Sequence, residues 1–419
     1  MSNNYRGRLL SNFIALSIIQ GTNFLLPILV MPFVIKVIGA DGFGVVSVAQ
    51  MVMIYLATIA DYGFNLTATR DVALFKMDGV KLSKIFFVTL VTKLLITFFL
   101  FILLILLIFF VPIFHEHFTL YLLGFVYVVG QSLLVSWFFQ GMEKMQYITA
   151  ITLFARIIFV ALVFIFIRQK NDYVYFLFFL GLGNILAGVL SIYLAIRIFK
   201  LKQVRVRRSD VKNELKEGWQ ITTSNLSINT YLYTNIFILR LFTNDLVVGY
   251  YSIAEKIFFA VRQVLGIFSQ VIYPRICQLT DTAKKELPHF FRSVYLPFLF
   301  LIFGSCAVLF LFSPSIVGLF LPHPPKLAVL LLQMLSFVPL IVCLNIPAYQ
   351  LLLAFNKKKA YSVVLGLGTI VNIIANISLC PQWGATGTVI SIILTELFIT
   401  IGLNQQVFKS KLFYLIRAR

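Results

Sequence analysis

The sequence GVVSVAQ at residues 44–50 returns in altered form as GYYSIAE at residues 249–255. An aromatic and a basic residue precede each copy: Phe33 and Lys36, then Phe237 and Arg240. The two copies lie about half a chain length apart in a chain of 419 residues. In a membrane protein, such an internal repeat is typical of a transporter that is built from two similar halves.

The composition predicts a membrane protein with many spans. Hydrophobic residues make up 60% of the chain and charged residues 12%, whereas soluble domains average about 45–50% and about 25%. Twelve apolar runs are close to the roughly 20 residues that a spanning helix needs. They cover residues 11–35, 43–61, 85–111, 118–140, 146–167, 173–199, 219–242, 248–273, 290–313, 326–353, 360–380 and 385–407.

These runs predict an all-α fold with two lobes of six helices each. A segment in lipid must satisfy its own backbone hydrogen bonds, so single spans are helices. Since six is even, both lobes enter the membrane in the same sense and form a parallel repeat. The predicted organisation is a first lobe at 1–200, a basic linker at 201–217, a second lobe at 218–407 and a basic tail at 408–419.

The net charge is +20. The basic residues are distributed by loop and do not form a nucleic-acid-binding face. Nearly all basic residues outside the spans fall in alternate connections together with both termini. The basic residues on the opposite side are few: Lys36, Arg168, Lys170, Arg240 and Lys326. By the positive-inside rule, both termini are cytoplasmic, and the basic linker is expected to contact anionic lipid headgroups.

The eighth span carries three charged residues, Glu255, Lys256 and Arg262. A charge at the centre of a spanning helix costs roughly 2.5–3.5 kcal/mol on insertion scales, so a lipid-facing position for all three is unfavourable. Glu255 and Arg262 are two helical turns apart and share a face. We expect this face to line a substrate cavity; the alternative is an internal ion pair that holds helices in register.

Arg156, near the middle of the fifth span, is a candidate ligand for an anionic substrate group, because its guanidinium matches phosphate oxygens. The alternative is an ion pair with Glu255 or with Glu396 of the twelfth span. For Glu396 we expect structural pairing. Asp61 ends the second span, either at the interface or at a vestibule.

Lys93 in the third span is expected to extend its ammonium group to the cytoplasmic face. Uncharged polar side chains cluster in the first, second, seventh and eighth spans, and such groups join helices or bind sugar hydroxyls. The predicted cavity lining is Gln20, Asn23, Gln50, Asn225 and Asn229.

The chain has no phosphate-binding loop, no nucleophile elbow and no zinc-protease motif, so we expect neither an enzyme nor a protein driven by its own ATP hydrolysis. No metal or cofactor is expected. Coupling to H⁺ or Na⁺ is a hypothesis, with Asp61, Glu255 and Glu396 as the candidate residues.

Several short segments carry a family resemblance: DYGFNLTATR at 61–70, FQGMEKM at 139–145, and Asn372, Asn376 and Pro381 followed by GATG at 384–387. With the twelve spans, they resemble the Wzx-type O-antigen flippases of the polysaccharide-biosynthesis family, within the multidrug/oligosaccharidyl-lipid/polysaccharide exporter superfamily. The resemblance covers essentially the whole chain.

This resemblance implies a V-shaped pair of lobes, like that of MATE transporters, around a central cationic cavity. The implied substrate is undecaprenyl diphosphate carrying an oligosaccharide, turned from the cytoplasmic to the periplasmic leaflet of the bacterial inner membrane. The candidate diphosphate ligands are Arg156, Lys256 and Arg262, beside Glu255. Membrane lipids, a polysaccharide polymerase and a chain-length regulator are the expected partners.

Two other functions stay open on the sequence. A cation-coupled multidrug exporter of the same superfamily would favour acidic over basic residues in its cavity, and the eighth span has more bases than acids. A membrane polysaccharide polymerase would be expected to carry a large periplasmic loop, whereas the longest polar connections here lie on the predicted cytoplasmic side.

Overall fold

The computed structural model describes the backbone of residues 2–282, 284–410 and 412, and the side chains of 29–223, 225–226, 229–230, 233–280, 285–410 and 412. In this described part the regular secondary structure is helical throughout, without strands. The all-α prediction is therefore confirmed, and its cause is the need of apolar segments to satisfy their own backbone in lipid.

The chain forms two compact units, Met1–Thr230 and Tyr231–Arg419. The first unit contains α1 (Ser2–Asp61), α2 (Phe64–Phe75), α3 (Gly79–Phe110), α4 (Pro112–Glu116), α5 (Phe118–Leu133), α6 (Ser136–Gly141), α7 (Met145–Phe166) and α8 (Phe176–Phe199). The boundary between the units lies inside α9 (Arg208–Phe242). The second unit contains α10 (Asp245–Thr282), α11 (Leu287–Phe290), α12 (Leu296–Leu311), α13 (Ser313–Gly318), α14 (Lys326–Leu335), α15 (Val338–Ala354) and α16 (Lys358–Lys409).

Nine helical segments in the described part of the chain are long and apolar enough to cross a membrane. Many large apolar side chains on them are exposed, such as Phe109 at 75% and Phe110 at 80%. Such exposure is costly in water and favourable in hydrocarbon. The chain is therefore an integral membrane protein.

Two long helices each contain one break. In α1 the break is at Gly39, with φ of 80°, and in α16 it is at Gly384, with φ of 56°. Positive φ favours glycine. The breaks lie between the first and second predicted spans, and between the eleventh and twelfth. Each of these two helices thus holds two apolar stretches with a change of direction between them.

An acidic residue is paired near the start of each copy of the repeat. In the first unit, Asp41 Oδ2 lies 2.7 Å from Lys170 Nζ. In the second, Asp245 Oδ1 lies 2.6 Å from Arg240 Nε, at the first residue of α10. The repeat therefore extends from sequence to local structure, because in both units an ion pair involves an aspartate just before the motif.

The repeated motif contains shared small residues and positions at which the two copies differ. Its shared small residues are buried in both copies: Gly44 and Gly249, Ser47 and Ser252, Ala49 and Ala254. Small residues allow membrane helices to approach closely. The copies differ at Val46 and Gln50, whose counterparts Tyr251 and Glu255 carry polar groups into the second unit.

Close packing of α5 against α8 fixes one wall of the first unit. At Gly130, an added Cβ would lie 2.6 Å from Asn184 Cβ and 2.9 Å from the Gly181 carbonyl oxygen. Only glycine permits that approach. The residues flanking this contact on α5, Tyr127 and Gln131, are therefore held on a rigid helix.

The short helix α2 is held by an aromatic cluster. Phe64, Phe86, Trp137 and Phe138 are all fully buried and pack together. Burying large aromatic side chains contributes strongly to packing. The cluster fixes the orientation of α2 and with it the position of Asn65.

Candidate functional site

The first unit contains a polar cavity of about 330 Å³. Its lining comes from α1, α2, α5 and α9. The lining residues are Ile54, Ala57, Thr58, Asp61, Asn65, Tyr127, Gln131, Asn225 and Asn229. Six of these nine side chains are uncharged amides or hydroxyls, and one is acidic.

Hydrogen bonds fix several of the polar groups that line this cavity. The Asn229 amide donates to Thr58 Oγ1 at 2.6 Å, and the Thr58 hydroxyl donates to the Ile54 carbonyl at 2.8 Å. The Asn65 amide donates to Asp61 Oδ2 at 2.8 Å. Of the predicted lining, Asn225 and Asn229 thus lie on the cavity wall.

Asp61, the only acidic residue that lines this cavity, forms an ion pair with a buried lysine. Lys93 Nζ lies 3.1 Å from Asp61 Oδ1, and the Lys93 side chain is 2% exposed. The prediction that Lys93 reaches the cytoplasmic face is wrong, because a nearby carboxylate offers a buried ammonium a partner that compensates its desolvation. Opposite charges in adjacent predicted spans were the signal that could have revealed this pair.

Arg156 is not on the cavity wall but interacts with a residue that is. It is half-buried on α7 and interacts electrostatically with Tyr127, which lines the cavity together with Gln131. Tyr127 and Gln131 were not predicted from the sequence. They occur four residues apart in an apolar span, a spacing that puts two polar groups on one helix face.

The other three predicted lining residues are Gln20, Asn23 and Gln50. Gln50 is half-buried on α1 and does not line the cavity. Gln20 and Asn23 lie outside the residues whose side chains are described.

The second unit contains a much smaller pocket of about 20 Å³, lined by polar and charged groups. The lining residues are Asn235, Tyr251, Glu255, Phe258, Phe259, Arg262, Asn372, Ile392 and Thr395. A site for one water molecule needs roughly 10–15 Å³. In the described conformation this pocket has room for a water molecule or a small cation.

Glu255 is the most deeply buried charged group of this pocket, with 2% exposure. The Tyr251 hydroxyl donates to its Oε1 at 2.9 Å. Its Oε2 has no hydrogen-bond partner in the described part of the chain. Lys256 is half-buried next to Glu255 and interacts with it electrostatically. A buried carboxylate oxygen with an open acceptor site can bind a proton or a cation.

An ion pair closes the pocket on another side. Arg262 Nη2 lies 3.3 Å from Glu396 Oε1, and the Glu396 side chain is 3% exposed. The Arg262 guanidinium also lies 6.0 Å from the centre of the Phe258 ring. The structural pairing expected for Glu396 is present, and Glu255 and Arg262 share a face as the helix spacing predicts.

A chain of buried neutral groups continues from this pocket. The Asn376 amide donates to Asn235 Oδ1 at 2.9 Å, and the Thr388 hydroxyl donates to Asn376 Oδ1 at 3.0 Å. Asn235, Asn376 and Thr388 are all buried. This network joins α9 to both halves of α16, so it rigidifies the wall that carries Glu396.

A third cavity, of about 220 Å³, lies where the start of α9 packs on α2 and α3. Two ion pairs hold this contact: Lys84 Nζ to Asp210 Oδ1 at 2.8 Å, and Arg70 Nη2 to Glu217 Oε2 at 3.1 Å. Burial, followed by the charges of Asp71 and Glu217, raises the pKa of Glu214 to about 7.

Comparison with known proteins gives the family context of these cavities. Residues 9–280 match the family model described as "Polysaccharide biosynthesis protein". Two curated proteins, each named "Putative O-antigen transporter", are similar along the chain. The protein from Shigella dysenteriae is 28% identical over 93% of this chain and 98% of its own length. The one from Escherichia coli strain K12 is 27% identical over 93% and 94%.

Solved structures share the fold at low sequence identity. An inward-facing multidrug resistance MATE family transporter of the MOP superfamily superposes with a TM-score of 0.65, at 14% identity, over 96% of this chain and 98% of its own. The Vibrio cholerae MATE transporter VcmN in its bent form gives a TM-score of 0.56, also at 14% identity, over 98% and 99%. The fold is therefore MATE-like.

Proposed function

This chain belongs to the polysaccharide biosynthesis protein family, and we propose that it is a flippase for oligosaccharide repeat units linked to undecaprenyl diphosphate. Its similarity to two proteins named as O-antigen transporters supports transport rather than enzymatic catalysis. The observation that carries the proposal is the polar cavity of about 330 Å³ among helices apolar enough to span a membrane.

The substrate moves from the cytoplasmic to the periplasmic leaflet of the bacterial inner membrane, and both termini are cytoplasmic. The loop bias of basic residues supports this orientation. A polysaccharide polymerase and a chain-length regulator then act on the translocated units, as the family resemblance implies.

Transport proceeds by alternating access of twelve spans in two six-helix lobes that form a parallel repeat, with lobes at 1–200 and 218–407, a linker at 201–217 and a tail at 408–419. The breaks at Gly39 and Gly384 support the count, because each divides one long helix between two predicted spans. The MATE-like fold supports the mode of transport.

Arg156, Lys256 and Arg262, beside Glu255, supply positive charge to the diphosphate during the transport cycle. Guanidinium groups bind phosphate oxygens through paired hydrogen bonds. Arg262 is engaged with Glu396 in the described conformation, so it must exchange this partner for the substrate. Arg156, which is half-buried on α7, interacts with Tyr127 and is not itself on the wall of the first cavity.

Surface display of polysaccharide tests the proposal. In a host lacking its own O-antigen flippase, the wild-type chain restores display, while Arg156→Ala and Arg262→Ala reduce it at normal protein levels. Arg275→Ala, which changes an exposed arginine of α10, is the matched control. Failure of the wild-type chain to restore display refutes the flippase, and full display by both variants refutes the role of the arginines.

We further propose that transport is coupled to H⁺ or Na⁺ through Glu255, with Asp61 and Glu396 as further candidates. The buried position of Glu255 and its open Oε2 support the choice. In vesicles, collapse of both gradients slows transport, and Glu255→Gln removes the response to the gradients. Unchanged transport after collapse of both gradients excludes coupling.

A cation-coupled drug exporter is the second candidate, since solved proteins of this fold include multidrug transporters. Two of the acids that would attract a cationic drug are already paired, Asp61 with Lys93 and Glu396 with Arg262. This pairing favours the flippase. Drug resistance conferred on a sensitive host, without restored polysaccharide display, would favour the exporter.

A further inference from the structure

We infer, on the basis of the proposed flippase function, that the cavity of the first unit is the subsite for the uncharged sugar part of the substrate. Gln131 and Asn225 are its specificity-determining residues, with Asn229 as a positioning residue. The inference assigns to one unit the recognition of one chemical part of the substrate. The diphosphate is recognised by other groups.

The charge of the cavity excludes the diphosphate as its principal ligand. Its one ionisable acid, Asp61, is paired at 3.1 Å with Lys93, which lies behind the wall and is 2% exposed. The other nearby cation, Arg156, interacts with Tyr127 and is not among the residues that line the cavity. The surface that a ligand meets is therefore an array of neutral dipoles with one compensated carboxylate, and an anion gains little there.

The hydrogen-bonding capacity of the wall suits hydroxyl groups. A sugar hydroxyl both donates and accepts, and a carboxamide offers two donor hydrogens and an acceptor oxygen. Asn225 lines the cavity and makes no side-chain hydrogen bond to the described part of the chain, so its amide can bond to a ligand. Asp61 keeps acceptor sites beyond those used by Lys93 and Asn65.

The wall is also rigid. The Asn229 amide and the Thr58 hydroxyl are fixed by a 2.6 Å hydrogen bond between α9 and α1. Tyr127 and Gln131 flank the glycine contact between α5 and α8. Polar groups on rigid helices discriminate between ligands, because a ligand that lacks a matching hydroxyl leaves them unpaired.

The size of the cavity is consistent with a small part of an oligosaccharide. Its volume of about 330 Å³ is at the lower end of the roughly 300–1,000 Å³ that small-molecule sites occupy. It accommodates one or two sugar rings rather than a complete lipid-linked repeat unit. The sugars nearest to the site of attachment or the terminal sugars would enter it.

The experiment compares two lipids that differ only in the sugar. Undecaprenyl diphosphate carrying the repeat unit is extracted from the host whose display the chain restores, and bare undecaprenyl diphosphate is the second probe. Their dissociation constants are measured with the purified full chain in nanodiscs. We expect Gln131→Ala and Asn225→Ala each to weaken binding of the sugar-bearing lipid about 5- to 10-fold, as for one lost hydrogen bond.

Binding of the bare lipid should stay unchanged in both variants. Asn404→Ala, which removes a half-buried amide of the second unit, is the matched control and should affect neither lipid. An equal loss for both lipids, or unchanged binding of the sugar-bearing lipid in both variants, overturns the sugar subsite. The flippase proposal fails separately, if the wild-type chain does not restore display in that host.

Discussion

The cavity of the first unit and the pocket of the second unit differ in size and in charge. The former is about 330 Å³ and is lined mostly by neutral amides and hydroxyls. The latter is about 20 Å³ and contains Glu255 and Arg262. In the larger cavity, the Asp61 carboxylate is paired with the buried Lys93. In the smaller pocket, Glu255 Oε2 is buried and has no hydrogen-bond partner in the described residues.

Under the proposed function, this difference corresponds to different roles for the two units. A neutral, roomy wall can recognise sugar hydroxyls. A tight pocket with a buried acid and an ion pair can bind a small cation or exchange charged partners. The division follows the repeat motif itself, because Val46 and Gln50 of the first copy are Tyr251 and Glu255 in the second.

The largest expected effect tests the neutral character of the first cavity. Lys93→Ala leaves the Asp61 carboxylate without its buried partner, and removal of one member of a buried pair costs about 3–5 kcal/mol. Because Asp61 is 20% exposed, we expect the lower end of this range. The measurement is the melting temperature in detergent, with unfolding monitored by tryptophan fluorescence.

The double variant Lys93→Met with Asp61→Asn is the control, and it should recover most of the lost stability because no charge is left unpaired. An unchanged melting temperature in Lys93→Ala would contradict the pairing and, with it, the neutral cavity.

A comparable but smaller effect is expected at the ion pair of the second unit. Arg262→Ala leaves Glu396 buried, and Glu396→Gln should restore part of the stability that is lost. In a double-mutant cycle we expect a coupling energy of about 2 kcal/mol, within the range for interacting neighbours. A coupling energy near zero would mean that the second pocket is not held by this pair, and the contrast between the two sites would weaken.

A still smaller change in stability is expected for the wall of the first cavity. Asn229→Ala removes the hydrogen bond to Thr58, a loss of about 1 kcal/mol. Transport of the sugar-bearing lipid should fall by more than this modest destabilisation explains, because Asn229 positions the wall. The free energy of unfolding and the transport rate are measured on the same preparation. An unchanged transport rate would contradict the positioning role of Asn229.

The smallest effect concerns the contact of α9 with α2 and α3. The pKa of Glu214 is raised from 4.5 to about 7, so the folded chain binds this proton more tightly than the unfolded chain. Its contribution to stability is therefore complete below pH 4.5 and is lost as the pH rises to about 7.

Glu214→Gln should flatten the dependence of the melting temperature on pH across this window, and Glu286→Gln, at an exposed glutamate, should not. The slope should stay below ~1.4 kcal/mol per pH unit, because Glu214 is half-exposed and solvent screens its charge. A stability that rises with pH through this window in the wild-type chain alone, and not in Glu214→Gln, would contradict the sign.

Much of the fold could be predicted from the sequence, since apolar runs, loop charge and the repeat reflect constraints that lipid imposes on every span. The shared face of Glu255 and Arg262 followed from helical spacing alone. The cavity that Tyr127 and Gln131 line could not be predicted in this way, because it depends on which helices pack together. Lys93 was misassigned for the same reason: its partner Asp61 is on another helix.

The division of roles between the two units is tested most directly by one ratio in reconstituted vesicles. The rate of transport of sugar-bearing undecaprenyl diphosphate is divided by the rate for the bare lipid, in the wild-type chain, Gln131→Ala and Glu255→Gln. We predict that Gln131→Ala lowers this ratio, while Glu255→Gln slows both lipids equally and leaves the ratio unchanged. A lowered ratio in Glu255→Gln, or an unchanged one in Gln131→Ala, would contradict the account.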